Sequence, residues 1–175
     1  RGLAFIGVAG TGSDSDASVY NIALIKASTG VKVQGCWFGI DPGVGSWAPD
    51  SAGVVPGVYG ARSAVASFKW SDGSSSEGLI FGTDGDGNGD PGEFNISVAQ
   101  RLAVHLQTPR VTVSGNWFNF LPDGSVLRPE TQGLVLEDGT LEAIENGDGT
   151  SMRIGTDGNG TSDANEGNLF GPVVY

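Results

Sequence analysis

NIALIKASTGVKVQGCWFGIDP, residues 21–42, comes back 80 residues later as RLAVHLQTPRVTVSGNWFNFLP at 101–122, identical at seven of twenty-two positions. A second pair, IFGTDGDGNGDPGEFNIS at 80–97 and RIGTDGNGTSDANEGNLF at 153–170, lies 73 residues apart and agrees at eight of eighteen. The chain is a repeat protein, read as one domain over 1–175 with units at about 21–97 and 101–170. Repeats of short apolar segments point to a solenoid, where stacked neighbours bury a face that one unit cannot bury alone.

The segments themselves are strand-like. LAFIGV (3–8), NIALI (21–25), VKV (31–33), WFGI (37–40), SAVASFKW (63–70) and LIF (79–81) are answered by RLAVHL, VTV, NWFNF, GLVLE, LEAI and MRI in the second unit. Each alternates or runs briefly apolar and is bounded by Gly, Pro, Asp, Asn or Ser, and none has a helical period. A parallel β-helix with coils of roughly 20 to 25 residues, about seven in all, is the expected architecture. Ile22, Leu24, Val31 and Val33 are then expected to stack inward on Leu102, Val104, Val111 and Val113. An antiparallel β-sandwich is the alternative, because short strands with Gly-rich turns fit it too.

Thirty glycines among 175 residues suit many tight turns. Nine basic against 20 acidic residues leave a net charge of −11, which repels phosphate backbones and anionic lipid, so neither nucleic acid nor a membrane is an expected partner. No apolar run reaches the ~18 residues of a membrane span. Cys36 is the single cysteine, which excludes an internal disulfide, and its repeat counterpart is Asn116. The chain starts on Arg1 in mid-pattern, as a processed product or a piece of something longer would.

The second repeated pair carries acids at fixed offsets. Asp84, Asp86, Asp90 and Glu93 occupy relative positions 1, 3, 7 and 10, with Asn88 at 5 and glycines between them; the other copy has Asp157, Asn159, Thr161, Asp163 and Glu166. Calcium takes six to eight oxygens at about 2.3–2.6 Å, and alternating acids on a curled glycine backbone deliver several to one centre. Turn propensity explains Asp, Asn and Gly in such a segment, but not acids kept at positions 1, 7 and 10 in both copies. An EF-hand is not implied, since the twelfth position is Asn95 or Asn168 rather than an acid. Ten residues are thus candidate calcium ligands, and the first turn carries one more charge than the second.

GCWFGIDP and GNWFNFLPDG, each followed by a GTDGxG turn, resemble the right-handed parallel β-helix repeats of bacterial secreted and surface proteins. The acid spacing is similar to that of thrombospondin type 3 calcium repeats. The resemblance implies an extracellular or cell-surface module of the adhesin, surface-layer or filament kind, with calcium as the bound ion.

Catalysis finds little footing. His105 is the only histidine, so no serine triad can be assembled, and it aligns with Ile25 of the other unit. Glycosidase chemistry needs two carboxylates across a groove, whereas the acids here sit in turns. A polysaccharide-lyase-like activity is the enzymatic alternative, with Lys69, Arg101 or Arg110 as base. Trp37 and Trp117 occupy equivalent places and are expected in the core or in stacks. Trp47, Tyr59 and Trp70 could form a platform for sugar rings. The expected role is non-enzymatic, structural or interactive, with open ends that associate end to end with the rest of the chain or with copies of it.

Overall fold

Short apolar stretches cut by glycine become short strands. The computed structural model describes residues 3–5, 20–24, 28–41, 46–47, 63–68, 76–98, 102–126, 132–136 and 152–171. In chain order these hold β1 (Ala4–Phe5), β2 (Tyr20–Leu24), β3 (Lys32–Val33), β4 (Trp37–Phe38), β5 (Ile40–Asp41), β6 (Ser46–Trp47), β7 (Ser63–Ser67) and β8 (Ile80–Gly82). β9 (Ile96–Ser97), β10 (Leu102–Leu106), β11 (Val111–Ser114), β12 (Trp117–Phe118), β13 (Gln132–Leu136), β14 (Met152–Ile154) and β15 (Leu169–Phe170) follow.

Three sheets contain all of them but two. Sheet A runs β1-β4-β9-β12-β15, sheet B β13-β10-β7-β2 and sheet C β14-β11-β8-β3. Every pair within these sheets is parallel. Antiparallel pairing among the described residues is confined to β5 with β6 and to the single bridge between Phe120 and Val126. The antiparallel sandwich is therefore not supported, because its sheets are built from neighbouring antiparallel strands.

The chain visits sheets B, C and A in that order four times, and each visit lands beside the previous one. Ile22, Val65, Val104 and Leu134 share one row of sheet B, so successive visits are 43 (22 to 65), 39 (65 to 104) and 30 (104 to 134) residues apart. The expected period of 20 to 25 residues is too short. The 80-residue repeat contains two circuits, one turning sharply from sheet C to sheet A at Gly35 or Gly115 and the next making that corner through a long acidic turn.

Side chains from all three sheets meet in one core of Leu24, Val33, Phe38, Val65, Phe81, Val104, Leu106, Val111, Val113 and Phe118, among others. Val33 and Val113 lie in one buried row, both registered on Phe81. In sheet B the expected register is two residues off. Ile22 aligns with Val104 and Leu24 with Leu106, because the corner from Leu24 to Val31 is two residues longer than that from Leu106 to Val111.

Volume is balanced across sheets. Sheet A presents Phe38, Ser97, Phe118 and Phe170 in one row. Ser97 leaves room that the Phe81 ring of sheet C fills, 5.9 Å from Phe38 and 6.4 Å from Phe118. In the second unit the pair is exchanged, with Ile154 for Phe81 and Phe170 for Ser97, and Phe170 stacks on Phe118 at 4.8 Å. Such exchange keeps the interior filled.

Asparagines fix the corner entering sheet A. Asn116 Oδ1 accepts from Asn95 N at 3.2 Å and Asn95 Nδ2 at 3.0 Å, and Asn168 Oδ1 accepts from Asn116 N at 3.0 Å. Their amides donate to Val33, Phe81 and Val113 carbonyls, each at 2.8 Å. Cys36 stands on the rung before Asn95 and donates its N–H to Asn95 Oδ1 at 2.9 Å. The ladder satisfies buried backbone groups that leave the sheets at the corner.

Candidate metal centre

Both acidic turns occupy this corner, between β8 and β9 and between β14 and β15. In the first, Gly87 N donates to Asp90 Oδ2 at 3.0 Å, Thr83 Oγ1 to Asp90 Oδ1 at 3.0 Å, and Asn88 N to Asp86 Oδ1 at 2.7 Å. Gly85 and Gly87 take φ of 73° and 82°, the left-handed region that a Cβ disfavours. The curl turns successive acids inward, and Asp84, Asp86 and Asp90 each bring a carboxylate oxygen within 4.8 Å of the others.

The second turn repeats the pattern. Asp157 N donates to Glu166 Oε2 at 2.9 Å as Asp84 N does, more loosely at 3.4 Å, to Glu93 Oε2. Gly160 N donates to Asp163 at 3.2 Å, in the place of Gly87 and Asp90. Here the gathered acids are Asp157, Asp163 and Glu166. Neither turn is wholly irregular, since Asp90–Gly92 forms a 3-10 turn and Asp163–Glu166 one turn of α-helix, where no helix was expected.

Three carboxylates at that separation are hard oxygen donors that could hold a metal cation. The remaining candidates serve the frame. Glu93 is buried and receives the Asp84 N–H. Asn88 Nδ2 donates to the Asp86 carbonyl at 3.4 Å, Asn159 Nδ2 to Asp157 Oδ2 at 3.0 Å, and Thr161 N to Asn159 Oδ1 at 2.6 Å.

Cations from the strands reach both turns, which the acid spacing did not reveal. The Lys32 ammonium of β3 pairs with Asp84. That contact holds the Asp84 carboxyl below the usual carboxylate range and raises Lys32. Ser162, with Thr83 and Gly87 behind it, holds Asp90 below that range too. Arg153 Nη1 lies 2.8 Å from Asp157 Oδ2 and 3.4 Å from Glu166 Oε1, and its Nη2 donates to the Asp84 carbonyl at 3.3 Å. Lys32 is 52 residues from Asp84 and leaves no local signal. Arg153 is four residues before Asp157, a spacing visible in the sequence.

The two turns pack on each other. A Cβ on Gly87 would lie 3.2 Å from Thr161 Cγ2, and Ser162 of the second turn reaches Asp90 of the first.

Trp47 is on β6, registered with Ile40, while Tyr59, Trp70, Lys69 and Arg101 lie outside the described residues. Arg110 pairs with Glu77 at 3.0 Å. His105 is buried on β10, edge-on to Phe68 at 6.1 Å. Trp37 and Trp117 are half-buried and belong to a smaller cluster with Ile40, Ile96 and Val98, apart from the main core. Trp117 packs on Phe94 at 5.3 Å.

Comparison of the chain with protein-family models, with curated proteins and with solved structures finds no match in any of the three.

Proposed function

We propose that the chain is a calcium-stabilised, right-handed parallel β-helix segment with a structural or interaction role rather than a catalytic one, working outside the cell or at its surface. The observation that carries it is the repetition, at one corner of alternate circuits, of a turn gathering three carboxylates. The ordered return to three parallel sheets around one core supports the winding, and parallel crossovers are right-handed in nearly all known cases. Asp84, Asp86 and Asp90, or Asp157, Asp163 and Glu166, would hold the ion, whose charge offsets the repulsion among them.

End-to-end contact completes the role. Among the described strands β14 and β15 are outermost in their sheets, and Ile154, Leu169 and Phe170 are each more than two-fifths exposed there. At the other side of sheet A, Leu3 beside β1 is also exposed. Another circuit, from the same protein or a second copy, would cover these side chains.

Thermal unfolding with and without calcium tests the reading. At a calcium concentration of about 100 times the dissociation constant, one site adds about 2.7 kcal/mol. The melting temperature should rise with calcium and fall back with chelator, and an unchanged curve would refute the proposal.

A further inference from the structure

We infer that Asn88 is a site of spontaneous modification: its side-chain amide cyclises onto the Gly89 nitrogen and hydrolyses to aspartate or isoaspartate, while Asn159 of the other turn, in the same dipeptide, is held against that reaction. Each turn carries such a pair, Asn88–Gly89 and Asn159–Gly160, at places that the repeat does not make equivalent. No ion at either turn takes part.

Asparagine followed by glycine is open to attack by its own backbone, because glycine sets no Cβ against the approach and leaves the chain free to rotate. The Gly89 nitrogen, giving its proton to solvent base, bonds to Asn88 Cγ and closes a succinimide ring. The Cγ–Nδ2 bond breaks, and Nδ2 takes up a proton and leaves as ammonia. Water then opens the ring. Cleavage of the bond from nitrogen to Cγ leaves aspartate, and cleavage of the bond to the main-chain carbonyl leaves isoaspartate, with the chain routed through Cβ and Cγ. Overall, water is consumed and ammonia released, and nothing is oxidised or reduced.

Hydrogen bonds, rather than exposure, separate the two pairs, since all four residues face solvent. At Asn159 the reacting groups are tied. Gly160 N donates to Asp163 at 3.2 Å, Thr161 N to Asn159 Oδ1 at 2.6 Å, and Asn159 Nδ2 to Asp157 Oδ2 at 3.0 Å. At Asn88 the side chain is engaged through Nδ2 alone, on the Asp86 carbonyl at 3.4 Å, near the limit for such a bond. Gly89 caps the Asp90–Gly92 3-10 turn, where a backbone N–H has no intrahelical acceptor. Among the described residues that N–H meets no other acceptor, and Asn88 Oδ1 meets no donor. Bringing Cγ onto the next nitrogen therefore breaks one weak contact at Asn88 and three hydrogen bonds at Asn159. The products alter the turn differently. Aspartate sets a new carboxylate beside Asp86, whereas isoaspartate lengthens the backbone just ahead of buried Asp90, which accepts from Gly87 N and Thr83 Oγ1.

Peptide mapping by mass spectrometry decides the matter, on the full chain kept folded in mildly alkaline buffer made with heavy-oxygen water. Labelling by an isoaspartyl methyltransferase separates isoaspartate from aspartate. Asn88 should exchange its amide for heavy oxygen at least about tenfold faster than Asn159, the factor that breaking the extra hydrogen bonds costs. In urea, where those bonds are gone, the two residues should convert at closely similar rates. An unmodified Asn88, or equal rates in the folded chain, would overturn the inference. So would a preference for Asn88 that persists undiminished in urea, because it would then belong to the local sequence and not to the fold.

Discussion

A Cβ placed on Gly85 would stand 1.8 Å from Glu166 Oε1, so two turns 73 residues apart in sequence meet with no room for a methyl group. Glu166 is fully buried and its carboxylate holds Asp157 N and Arg153. The contact makes the turns one unit, and it sets apart two glycines that the repeat makes equivalent.

Gly85 and Gly158 have nearly the same φ, 73° and 68°, but a Cβ on Gly158 meets nothing within 4 Å. Gly158→Ala should cost only the left-handed strain, about 1–2 kcal/mol. Gly85→Ala must also displace Glu166 and expose its partners, adding about 1–3 kcal/mol. Urea unfolding of both variants checks this. Equal losses would show that the turns are not in contact.

Acid should loosen the same corner. Asp84 and Asp90 have carboxyls held below the ordinary value, so their contribution to stability is present above about pH 3.9 and is lost as pH falls through their folded values. Asp90, the buried one, should dominate, because the Lys32 pair at Asp84 is partly solvated and worth little. Melting temperature measured against pH should therefore drop below about pH 4, and Asp90→Asn should flatten that drop more than Lys32→Gln does.

The asparagine ladder offers a graded test. Asn116→Leu leaves Asn95 N–H and the Phe81 carbonyl buried without their partner, at about 1–3 kcal/mol each. Asn168 is half-buried at the far rung, and its loss should cost about half as much. Thermal denaturation giving the reverse order would contradict the ladder.

How much of this was legible follows from which contacts are local. The alternation in VKV and VTV set Val33 and Val113 inward, and the match of 168–170 to 95–97 placed β15 in the sheet of β9. The acids declared their own clusters. Circuit length was misjudged because a repeat of two unlike circuits has the period of the pair, and the register of β2 slipped because two extra corner residues leave the apolar alternation intact. Lys32 was invisible as a site residue because stacking, rather than closeness in sequence, brings it to Asp84.

Core substitutions should separate inward from outward positions in sheet C. Val113→Asp buries a carboxylate in a fully enclosed row beside Phe81, which should prevent folding. Thr112→Asp, on the adjacent half-buried row, should fold and lose at most about 1 kcal/mol. Circular dichroism of both variants tests the assignment, and a folded Val113→Asp would refute it.

End-to-end contact gives the last prediction. Phe118 is wholly buried because Phe170 stacks on one side of it, whereas Phe170 itself is 48% exposed, and Ile154 and Leu169 share its situation. Outermost strands carry unpaired N–H and C=O groups as well, and here no charged side chain on β15 blunts them. The chain should therefore associate at micromolar concentration, through a contact that salt barely affects because it is apolar and main-chain. Phe170→Lys should weaken the association by placing a charge where the next ring would stack, without disturbing Phe118 enough to unfold the chain. Sedimentation velocity across a concentration series decides it: a single monomer boundary at every concentration for the parent chain would rule the contact out.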